Sequence, residues 1–261
     1  MPINLSDYEN GLDFDGDYDD ELKTLQERLA RIQAAYICHD QRAVIAVEGW
    51  DAAGKGGTIR RLTGRWDPRY FEVWPIAAPT PEAKARHFLW RFWKRLPGKR
   101  EINVFDRSWY GRVLVERVEG YCSEAEWKRG YDEINEFEAQ QKDSGTPIIK
   151  LFFHVTLEEQ DERFRKRLES PWKRWKLTLD DFRNREKRSD YLDAMHDMFA
   201  KTDTRWAPWQ VIDGNKKKAA RIAALRYVAN RLEENVSMDP PEADEALITL
   251  AQSHLGTAGK G

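Results

Sequence analysis

The chain has 261 residues, 41% of them hydrophobic and 34% charged, which is enough for one folded domain with a sizeable core. No apolar run reaches the length of a membrane span, and the acidic N-terminus does not show the charged-then-apolar pattern of a signal peptide. The two cysteines, Cys38 and Cys122, give no disulfide framework and fit a reducing cytosol, so a cytoplasmic location is predicted.

The net charge of −2 conceals a segregation of charge along the chain. Residues 1–22 hold eight acidic residues and no basic one, and residues 233–245 hold six acidic residues and no basic one. Residues 23–232 hold 31 acidic and 42 basic residues, an excess of 11 positive charges. A concentrated basic field can recruit a polyanion, although the same charges could also be dispersed over solvated faces.

The hydrophobic pattern predicts alternating helices and strands between an irregular acidic arm at residues 1–16 and a mobile tail at residues 235–261. Strands are expected at residues 43–47, 71–76, 102–106, 147–153 and 210–212. Helices are expected at residues 17–37, 55–63, 81–96, 123–142, 156–169, 178–199 and 216–234. This alternation favours a single α/β domain, residues 17–234, with a doubly wound parallel sheet whose ligands bind beyond the carboxyl ends of the strands.

A phosphate-binding motif follows the first predicted strand. Residues 49–55 read Gly-Trp-Asp-Ala-Ala-Gly-Lys, the G-x-x-x-x-G-K pattern of a P-loop, and a predicted helix comes next. In such a loop the backbone N–H groups and the helix N-terminus surround phosphate oxygens, while the lysine adds a mobile positive charge. The expected phosphate-binding residues are Gly49, Ala53, Gly54, Lys55, Gly56, Gly57 and Thr58.

The loop departs from the common P-loop in two positions. The Ser or Thr that usually follows the lysine and binds Mg²⁺ is replaced by Gly56, and a hydroxyl appears first at Thr58. Asp51 lies inside the loop, where its carboxylate would repel donor phosphates unless a metal or a proton intervened. We therefore expect Asp51 to bind Mg²⁺ or to accept the proton of the acceptor; a turn-forming hydrogen bond to the loop backbone is the alternative.

A second acidic position follows the third predicted strand. Asp106 ends this strand, at the position where P-loop enzymes hold or orient Mg²⁺. Arg107 and Arg112 come shortly after it, and guanidinium groups can grip phosphate oxygens bidentately. We predict that both arginines stabilise charge on a transferring phosphoryl group, whereas a surface salt bridge is the alternative for either arginine alone.

A basic segment follows the fourth predicted strand. Residues 163–188 contain eleven basic and four acidic residues, and the sequence Ser-Pro-Trp at residues 170–172 separates two helical stretches. The pattern favours a lid at about residues 160–190 that closes over phosphates and excludes water. A solvated helical hairpin is the alternative, and the interleaved aromatic residues are also compatible with single-stranded nucleic acid, which requires more assumptions.

Four stretches resemble the polyphosphate kinase 2 family: EGWDAAGKGGTIRRL at residues 48–62, FDRSWYGRVLVERV at 105–118, PWKRWKL at 171–177 and TRWAPWQVI at 204–212. The resemblance runs through about residues 40–230. It implies a P-loop kinase-like fold with a helical lid, and phosphoryl transfer between inorganic polyphosphate and a nucleoside mono- or diphosphate. The implied cofactor is Mg²⁺, with Mn²⁺ as the alternative.

The resemblance also implies roles for individual residues. Asp51, Lys55, Asp106, Arg107 and Arg112 match the essential positions of the family, and Mg²⁺ is expected between the two aspartates. The lid bases that look like polyphosphate contacts are Arg163, Arg167, Lys173 and Lys176.

The expected acceptor is AMP or ADP. The sequences WYGRVL at residues 109–114 and PIAAPT at residues 75–80 look like those of the AMP-phosphorylating members. Members of the family are commonly oligomers, so a homo-oligomer is expected, without membrane or nucleic-acid partners.

Two other functions fit the same sequence features. An ATP-dependent small-molecule kinase would share the P-loop and the lid, although Gly56 and Asp51 disfavour it. A non-catalytic module that binds polyanions or nucleic acid would share the basic segment. Turnover with polyphosphate or with ATP separates the three possibilities.

Overall fold

A five-stranded parallel sheet forms the centre of the computed structural model, which describes residues 3–255. The strands are β1 (Ala43–Gly49), β2 (Phe71–Pro75), β3 (Ile102–Asp106), β4 (Ile148–His154) and β5 (Trp209–Asp213). Their spatial order is β2-β3-β1-β4-β5, and every neighbouring pair is parallel. The strand order reverses at β1, so a crevice for ligands is expected at the carboxyl ends of β1, β3 and β4.

The central strands are almost continuously apolar because helices cover both faces of a doubly wound sheet. All residues of β4 are buried, and in β1 every residue before Gly49 is buried. β2 lies at one edge of the sheet and alternates between half-buried and exposed residues. The strands that carry the phosphate motifs are therefore also the best packed, which fixes their carboxyl ends.

Eleven α-helices surround the sheet within residues 3–255. They are α1 (Tyr18–Cys38), α2 (Lys55–Leu62), α3 (Pro81–Lys84), α4 (Trp90–Trp93), α5 (Val115–Val118), α6 (Glu124–Asp143), α7 (Leu157–Glu169), α8 (Leu179–Glu186), α9 (Arg188–Thr202), α10 (Lys217–Glu233) and α11 (Glu245–Leu255). Short 3-10 helices cover Leu5–Tyr8, Pro68–Tyr70, Trp109–Arg112 and Arg174–Lys176. None of the helices in these residues is both long and apolar enough to cross a membrane.

The doubly wound α/β sheet predicted from the sequence is confirmed, and all five strands lie where they were expected. Two predicted helices are interrupted. The helix expected at residues 81–96 begins at the Thr80 cap but forms two short pieces, α3 and α4, separated by a turn in which His87 Nδ1 accepts from Leu89 N–H. The helix expected at residues 178–199 bends at Lys187, which ends α8 and precedes α9.

The two chain ends also differ from the irregular segments predicted for them. The N-terminal arm forms a 3-10 turn at Leu5–Tyr8 and packs on the domain, because Leu5 is buried in the core. Part of the predicted tail forms α11, whose apolar side chains are largely exposed. The rest of the predicted tail, residues 256–261, lies outside the described residues.

A fully buried ion pair lies in the middle of the sheet. Lys150 of β4 donates from Nζ to Glu138 Oε2 at 2.9 Å, to Tyr110 Oη at 2.8 Å and to the Thr202 carbonyl at 2.7 Å. Glu138 Oε1 accepts from the Tyr110 hydroxyl and from Trp109 Nε1. Because all the donors and acceptors of a buried charge must be matched, this network fixes the segment after β3 to α6 and β4.

We expect Lys150→Met to lower the free energy of unfolding by about 3–5 kcal/mol, because it leaves the buried Glu138 carboxylate without its counter-charge. Adding Glu138→Gln should recover part of the loss, since the amide oxygen still accepts from Trp109 and Tyr110 without a charge. Urea unfolding measures both changes. The exposed pair Lys128–Glu124 is the control: Lys128→Met should cost less than about 1 kcal/mol, and an equal cost at both lysines would contradict the prediction.

Candidate active site

The P-loop runs from the end of β1 into α2 and closes tightly on the neighbouring strand. Gly49 has φ 132°, and a Cβ there would collide with the backbone of Phe153 on β4, so no other residue fits. Gly54 caps α2 with φ 114°, and Ala52 between them adopts φ 61°. Left-handed backbone at a non-glycine residue stores strain of about 1–3 kcal/mol. The loop shape is therefore imposed by its surroundings rather than by local preference.

Backbone donors point along the axis of α2 toward the crevice. The first helical hydrogen bond runs from Thr58 N–H to the Gly54 carbonyl. The N–H groups of Lys55, Gly56 and Gly57 precede it and have no helical partner, as at every helix N-terminus. Together with the positive end of the helix dipole they form an anion site.

Two residues expected to bind phosphate are committed to the loop itself. The Ala53 N–H donates to the Trp50 carbonyl at 3.2 Å. The Thr58 hydroxyl donates to the Gly54 carbonyl at 3.3 Å, and its N–H donates to the same oxygen. Both residues shape the loop, and the phosphate contacts expected for them stay predictions.

Lys55 is curled back over the loop. Its Nζ donates to the Gly49 carbonyl at 2.6 Å and to the Trp50 carbonyl at 2.8 Å, and the side chain is buried. Burial lowers the pKa of Lys55, while the nearby charges of Asp51 and Asp106 oppose this shift. An ammonium group has three N–H donors, so one remains for a phosphate oxygen.

Asp51 is held between two donors from different parts of the chain. Its Oδ1 accepts from Arg107 Nη2 at 2.9 Å, and its Oδ2 accepts from Asn184 Nδ2 at 2.9 Å. Burial raises the pKa of Asp51, but the charges of Lys55 and Arg107 and the two hydrogen bonds outweigh it, so the pKa lies below its usual value. Asp51 is thus ionised and oriented.

Asp106 lies on the other side of Lys55. It ends β3, and a Cβ placed on Gly56 would be 4.0 Å from Asp106 Oδ2, so the carboxylate stands over the first turn of α2. Burial lowers the pKa of Lys55 and the charges of Asp51 and Asp106 oppose the shift, so both carboxylates lie within electrostatic range of its ammonium group. Asp51, Lys55, Asp106 and Arg107 are therefore brought together, as the sequence predicts.

The backbone at Arg107 is strained and is held by a buried carboxylate. Arg107 has φ 65°, and its N–H donates to the Val47 carbonyl at 3.0 Å. The next residue, Ser108, donates from N–H at 2.6 Å and from its hydroxyl at 2.8 Å to Glu48 Oε1. Burial raises the pKa of Glu48, and the bonds from Ser108 oppose that shift. Glu48 thereby fixes the turn that points Arg107 at Asp51.

Arg112 lies apart from this group. Its Nε is 3.2 Å from Glu116 Oε2, its guanidinium stacks on Phe88 at 4.6 Å, and its stem packs against Gly130 of α6. The catalytic role expected for Arg112 therefore stays a prediction, since the residue faces the segment between β2 and β3 rather than the P-loop.

Arg163 supports the P-loop from behind. The side chain is buried, and its Nη1 donates to the carbonyls of Ala52 and Ala53, both at 2.9 Å. Its Nη2 donates to the carbonyls of Gly214 and Asn215. With Nε bonded to Glu159, every nitrogen of the guanidinium is engaged. Burial and backbone carbonyls occupy the group, and the contact of Arg163 with polyphosphate expected from the sequence stays a prediction.

The other lid cations divide into two sets. Lys173 and Lys176 are exposed, and half-buried Arg167 donates to the Lys176 carbonyl at 3.2 Å; the phosphate contacts expected for these three residues stay predictions. The bases of α8 are paired instead. Arg183 and Lys187 both lie 3.0 Å from Glu119, and Arg185 forms a bidentate pair with Asp161; these α8 bases hold the lid in place.

A histidine outside the predicted site connects the P-loop to the N-terminal arm. His154 Nδ1 accepts from Trp50 Nε1 at 3.0 Å, and its Nε2 lies 2.8 Å from Glu9 Oε1. The ring is therefore neutral with its proton on Nε2. Burial lowers the pKa of His154, and Glu9 opposes the shift only in part.

The donor chemistry of the site suits a divalent cation that is completed by substrate. Among residues 3–255, no group of three or more His, Cys, Asp or Glu side chains is arranged to hold a metal ion. Two carboxylates, Asp51 and Asp106, flank the anion site, and Mg²⁺ is commonly held by one or two carboxylates together with phosphates and water.

Several residues of the site could not be singled out in the sequence. Glu48 lies within the first motif, but its position gave no sign that it would bond Ser108 across the sheet. Asn184 lies 133 residues from Asp51 and His154 lies 104 residues from Trp50. Nothing in the spacing of such pairs marks them as neighbours.

The support role of Arg163 predicts a loss of stability rather than of ligand affinity. Arg163→Lys should lower the free energy of unfolding by about 1–3 kcal/mol, because buried carbonyls lose their donors. Thermal unfolding measures the change, and Arg165→Lys, at an exposed position of the same helix, should be close to wild type. Weaker polyphosphate binding by a variant of normal stability would show that Arg163 contacts the ligand after all.

The neutral His154 predicts a pH-dependent stability. As the pH falls below about 6.5, the unfolded chain takes up the proton first, so the contribution of His154 is complete above that pH and declines below it. We expect the difference in unfolding free energy between wild type and His154→Gln to shrink from pH 7 toward about pH 5. His196→Gln, at an exposed position, should show no such trend; parallel curves for both would refute the assignment.

Comparisons with known proteins agree with this geometry. The family model for polyphosphate kinase 2 matches residues 13–240. A polyphosphate:AMP phosphotransferase of Pseudomonas aeruginosa is 45% identical over 222 residues, which cover 85% of this chain and 45% of that protein. ADP-polyphosphate phosphotransferase 3 of Rhizobium meliloti is 40% identical over 228 residues, which cover 87% of this chain and 80% of that protein.

The fold comparison gives the same result. The crystal structure of polyphosphate kinase 2 from Arthrobacter aurescens has a TM-score of 0.88 and 33% identity, with 97% of this chain and 93% of that chain covered. The chain spans about half the length of the AMP-acting relatives that it matches. Because the family model covers most of the sequence and the fold agrees over nearly all of it, the chain belongs to the polyphosphate kinase 2 family.

Proposed function

We propose that this chain transfers a phosphoryl group between inorganic polyphosphate and AMP, with ADP as a further acceptor. The observation that carries the proposal is the convergence of Asp51, Arg107 and Lys55 at the P-loop, with Asp106 beside them. A carboxylate inside an anion-binding loop suits an enzyme whose two reactants are both phosphates. The choice of AMP is supported by the AMP-acting relatives, which are 45–46% identical.

The metal proposed for this site is Mg²⁺, held by Asp51 and Asp106, with Mn²⁺ as the alternative because it favours the same oxygen ligands. When bound, the ion would neutralise charge on the donor and acceptor phosphates. Asp51 is already ionised and oriented for such a role, since Arg107 and Asn184 hold its two oxygens.

The residues of the chain supply position and positive charge. The amides at the start of α2 and the remaining N–H of Lys55 would bind the terminal phosphoryl group of polyphosphate. An oxygen of the AMP phosphate then attacks in line through a loose transition state, and Lys55 and Arg107 offset the charge on its equatorial oxygens. One phosphoanhydride bond forms while another breaks, so we expect the reaction to be readily reversible.

A row of cations beside the P-loop supports polyphosphate as the donor. The guanidinium of Arg221 lies over Gly57, since a Cβ there would be 3.6 Å from Arg221 Nη2. Lys217 of the same helix is exposed, and its pKa is lowered by partial desolvation and by the charges of Arg163, Lys166 and Arg221. Polyphosphate repeats one charged unit and has no base or sugar, so it suits a row of like cations better than ATP does.

The deciding experiment incubates the protein with AMP, Mg²⁺ and either polyphosphate or ATP. Formation of ADP with polyphosphate supports the proposal. ADP formed with ATP alone would identify an ordinary ATP-dependent kinase, and polyphosphate binding without turnover would identify a non-catalytic module.

Asp106→Asn should lower kcat by more than about 10²-fold, the scale on which the loss of one preorganised charge slows an enzyme. Polyphosphate binding should largely survive, because the cations and loop amides that hold the polyanion are unchanged. Steady-state kinetics and direct binding measure the two effects. Asp193→Asn, on the exposed face of α9, should leave both unchanged. Equal losses of binding and turnover in Asp106→Asn would contradict the assigned role.

A further inference from the structure

The lid helix α8 places an amide side chain directly on Asp51. Asn184 Nδ2 donates to Asp51 Oδ2 at 2.9 Å, opposite the bond from Arg107 to Oδ1. One donor therefore comes from the end of the sheet and one from the lid. The orientation of this carboxylate depends on the lid being seated.

The direction of the Asn184 amide is set by a buried tyrosine. The Tyr191 hydroxyl donates to Asn184 Oδ1 at 3.1 Å, which leaves Nδ2 as the atom that faces Asp51. Tyr191 is buried, and its ring meets the Trp50 ring edge-on with centroids 6.1 Å apart. The amide is thus held by a residue of α9 that itself packs on the P-loop.

The rest of α8 is anchored independently. Glu119 is almost completely buried and lies 3.0 Å from both Arg183 Nε and Lys187 Nζ. These ion pairs seat the helix whether or not Asn184 bonds to Asp51. A change at Asn184 should therefore affect Asp51 without releasing the whole lid.

The negative charges of Asp51 and Asp181 also favour an amide side chain at position 184. Asp181, on the preceding turn of α8, is buried in its capping box, and its pKa is raised by burial and by the nearby charge of Asp51. A further carboxylate at position 184 would add repulsion at the same point. A neutral side chain that donates a hydrogen bond stabilises the ionised Asp51 instead.

We propose that Asn184, oriented by Tyr191, is a positioning residue that couples the seating of the lid to the catalytic geometry of Asp51. When the lid lifts, Asp51 loses one of its two donors and with it the orientation that the transfer requires. When the lid closes over both substrates, the donor returns. This inference rests on the proposed function, in which Asp51 takes part in the transfer.

The test compares Asn184→Leu, which keeps the size of the side chain but has no donor, with Tyr191→Phe and wild type. We expect kcat for ADP formation from AMP and polyphosphate to fall about 10–100-fold in Asn184→Leu, the range for a hydrogen bond to a charged group, and less in Tyr191→Phe. The KM values should change little. The control is Glu186→Gln, an exposed position on the same helix, which should match wild type.

The separation of kcat from KM and from stability distinguishes positioning from a structural role. In Asn184→Leu the loss should appear in kcat at an unchanged melting temperature, because the Glu119 ion pairs still hold α8. A lower melting temperature that accounts for the lost activity would overturn the proposal. So would a wild-type kcat in Asn184→Leu.

Hydrogen exchange gives a readout that does not depend on turnover. Amides of the P-loop around Asp51 should exchange faster in Asn184→Leu than in Glu186→Gln, while those of α8, β1 and β4 stay protected, because the ion pairs of Glu119 still seat α8. Inactivity of the wild-type protein with polyphosphate would refute the proposed function, and the exchange data would still test the contact. An unchanged exchange rate throughout the P-loop would overturn the coupling itself.

Discussion

The structure depends on keeping a negative charge inside a loop that is built to bind negative charge. Asp51 can stay ionised there because Lys55 and Arg107 supply positive charge on two sides, and because both of its oxygens accept hydrogen bonds. Each of those donors needs its own support. The strained turn at Arg107 is fixed through Ser108 by the buried carboxylate of Glu48, and the loop carbonyls are fixed by Arg163. Each charged group of the site is thus stabilised by a neighbouring group of opposite charge or by hydrogen bonds.

The same constraint explains why so many basic residues of this chain face inward. Arg163 and Lys150 are buried and bond backbone carbonyls or a carboxylate, and the bases of α8 pair with Glu119 and Asp161. Each of these groups fixes an element that carries part of the site. Other cations stay exposed, among them Lys173 and Lys176 in the turn before α8. The excess of positive charge in the sequence therefore divides into buried and exposed groups that composition alone does not separate.

The sequence was sufficient for the sheet because its strands are short, continuously apolar and separated by amphipathic helices. It was also sufficient to place Asp51, Lys55, Asp106 and Arg107 near one another, since they lie at the carboxyl end of β1 or β3 or in the loop after β1, and parallel strands bring their carboxyl ends together. It failed where the role depends on which atoms a long side chain reaches. Arg163 belongs to the same basic run as Lys173, yet one is buried behind the loop and the other is exposed. Both residues are bases of one charged segment, so charge and spacing in the sequence do not distinguish the buried residue from the exposed one.

The division of the cations in residues 163–188 has a consequence for how the proposed lid can close on the proposed donor, polyphosphate. If every base of the lid faced the crevice, closure would depend wholly on the polyanion, and the empty lid would be repelled by Lys55 and Arg107. The ion pairs of Glu119 remove that dependence, because they seat α8 before any phosphate is bound. The exposed turn around Lys173 and Lys176 remains available to the proposed substrate. A neutral contact, Asn184 to Asp51, can then join lid to loop without adding charge to either side.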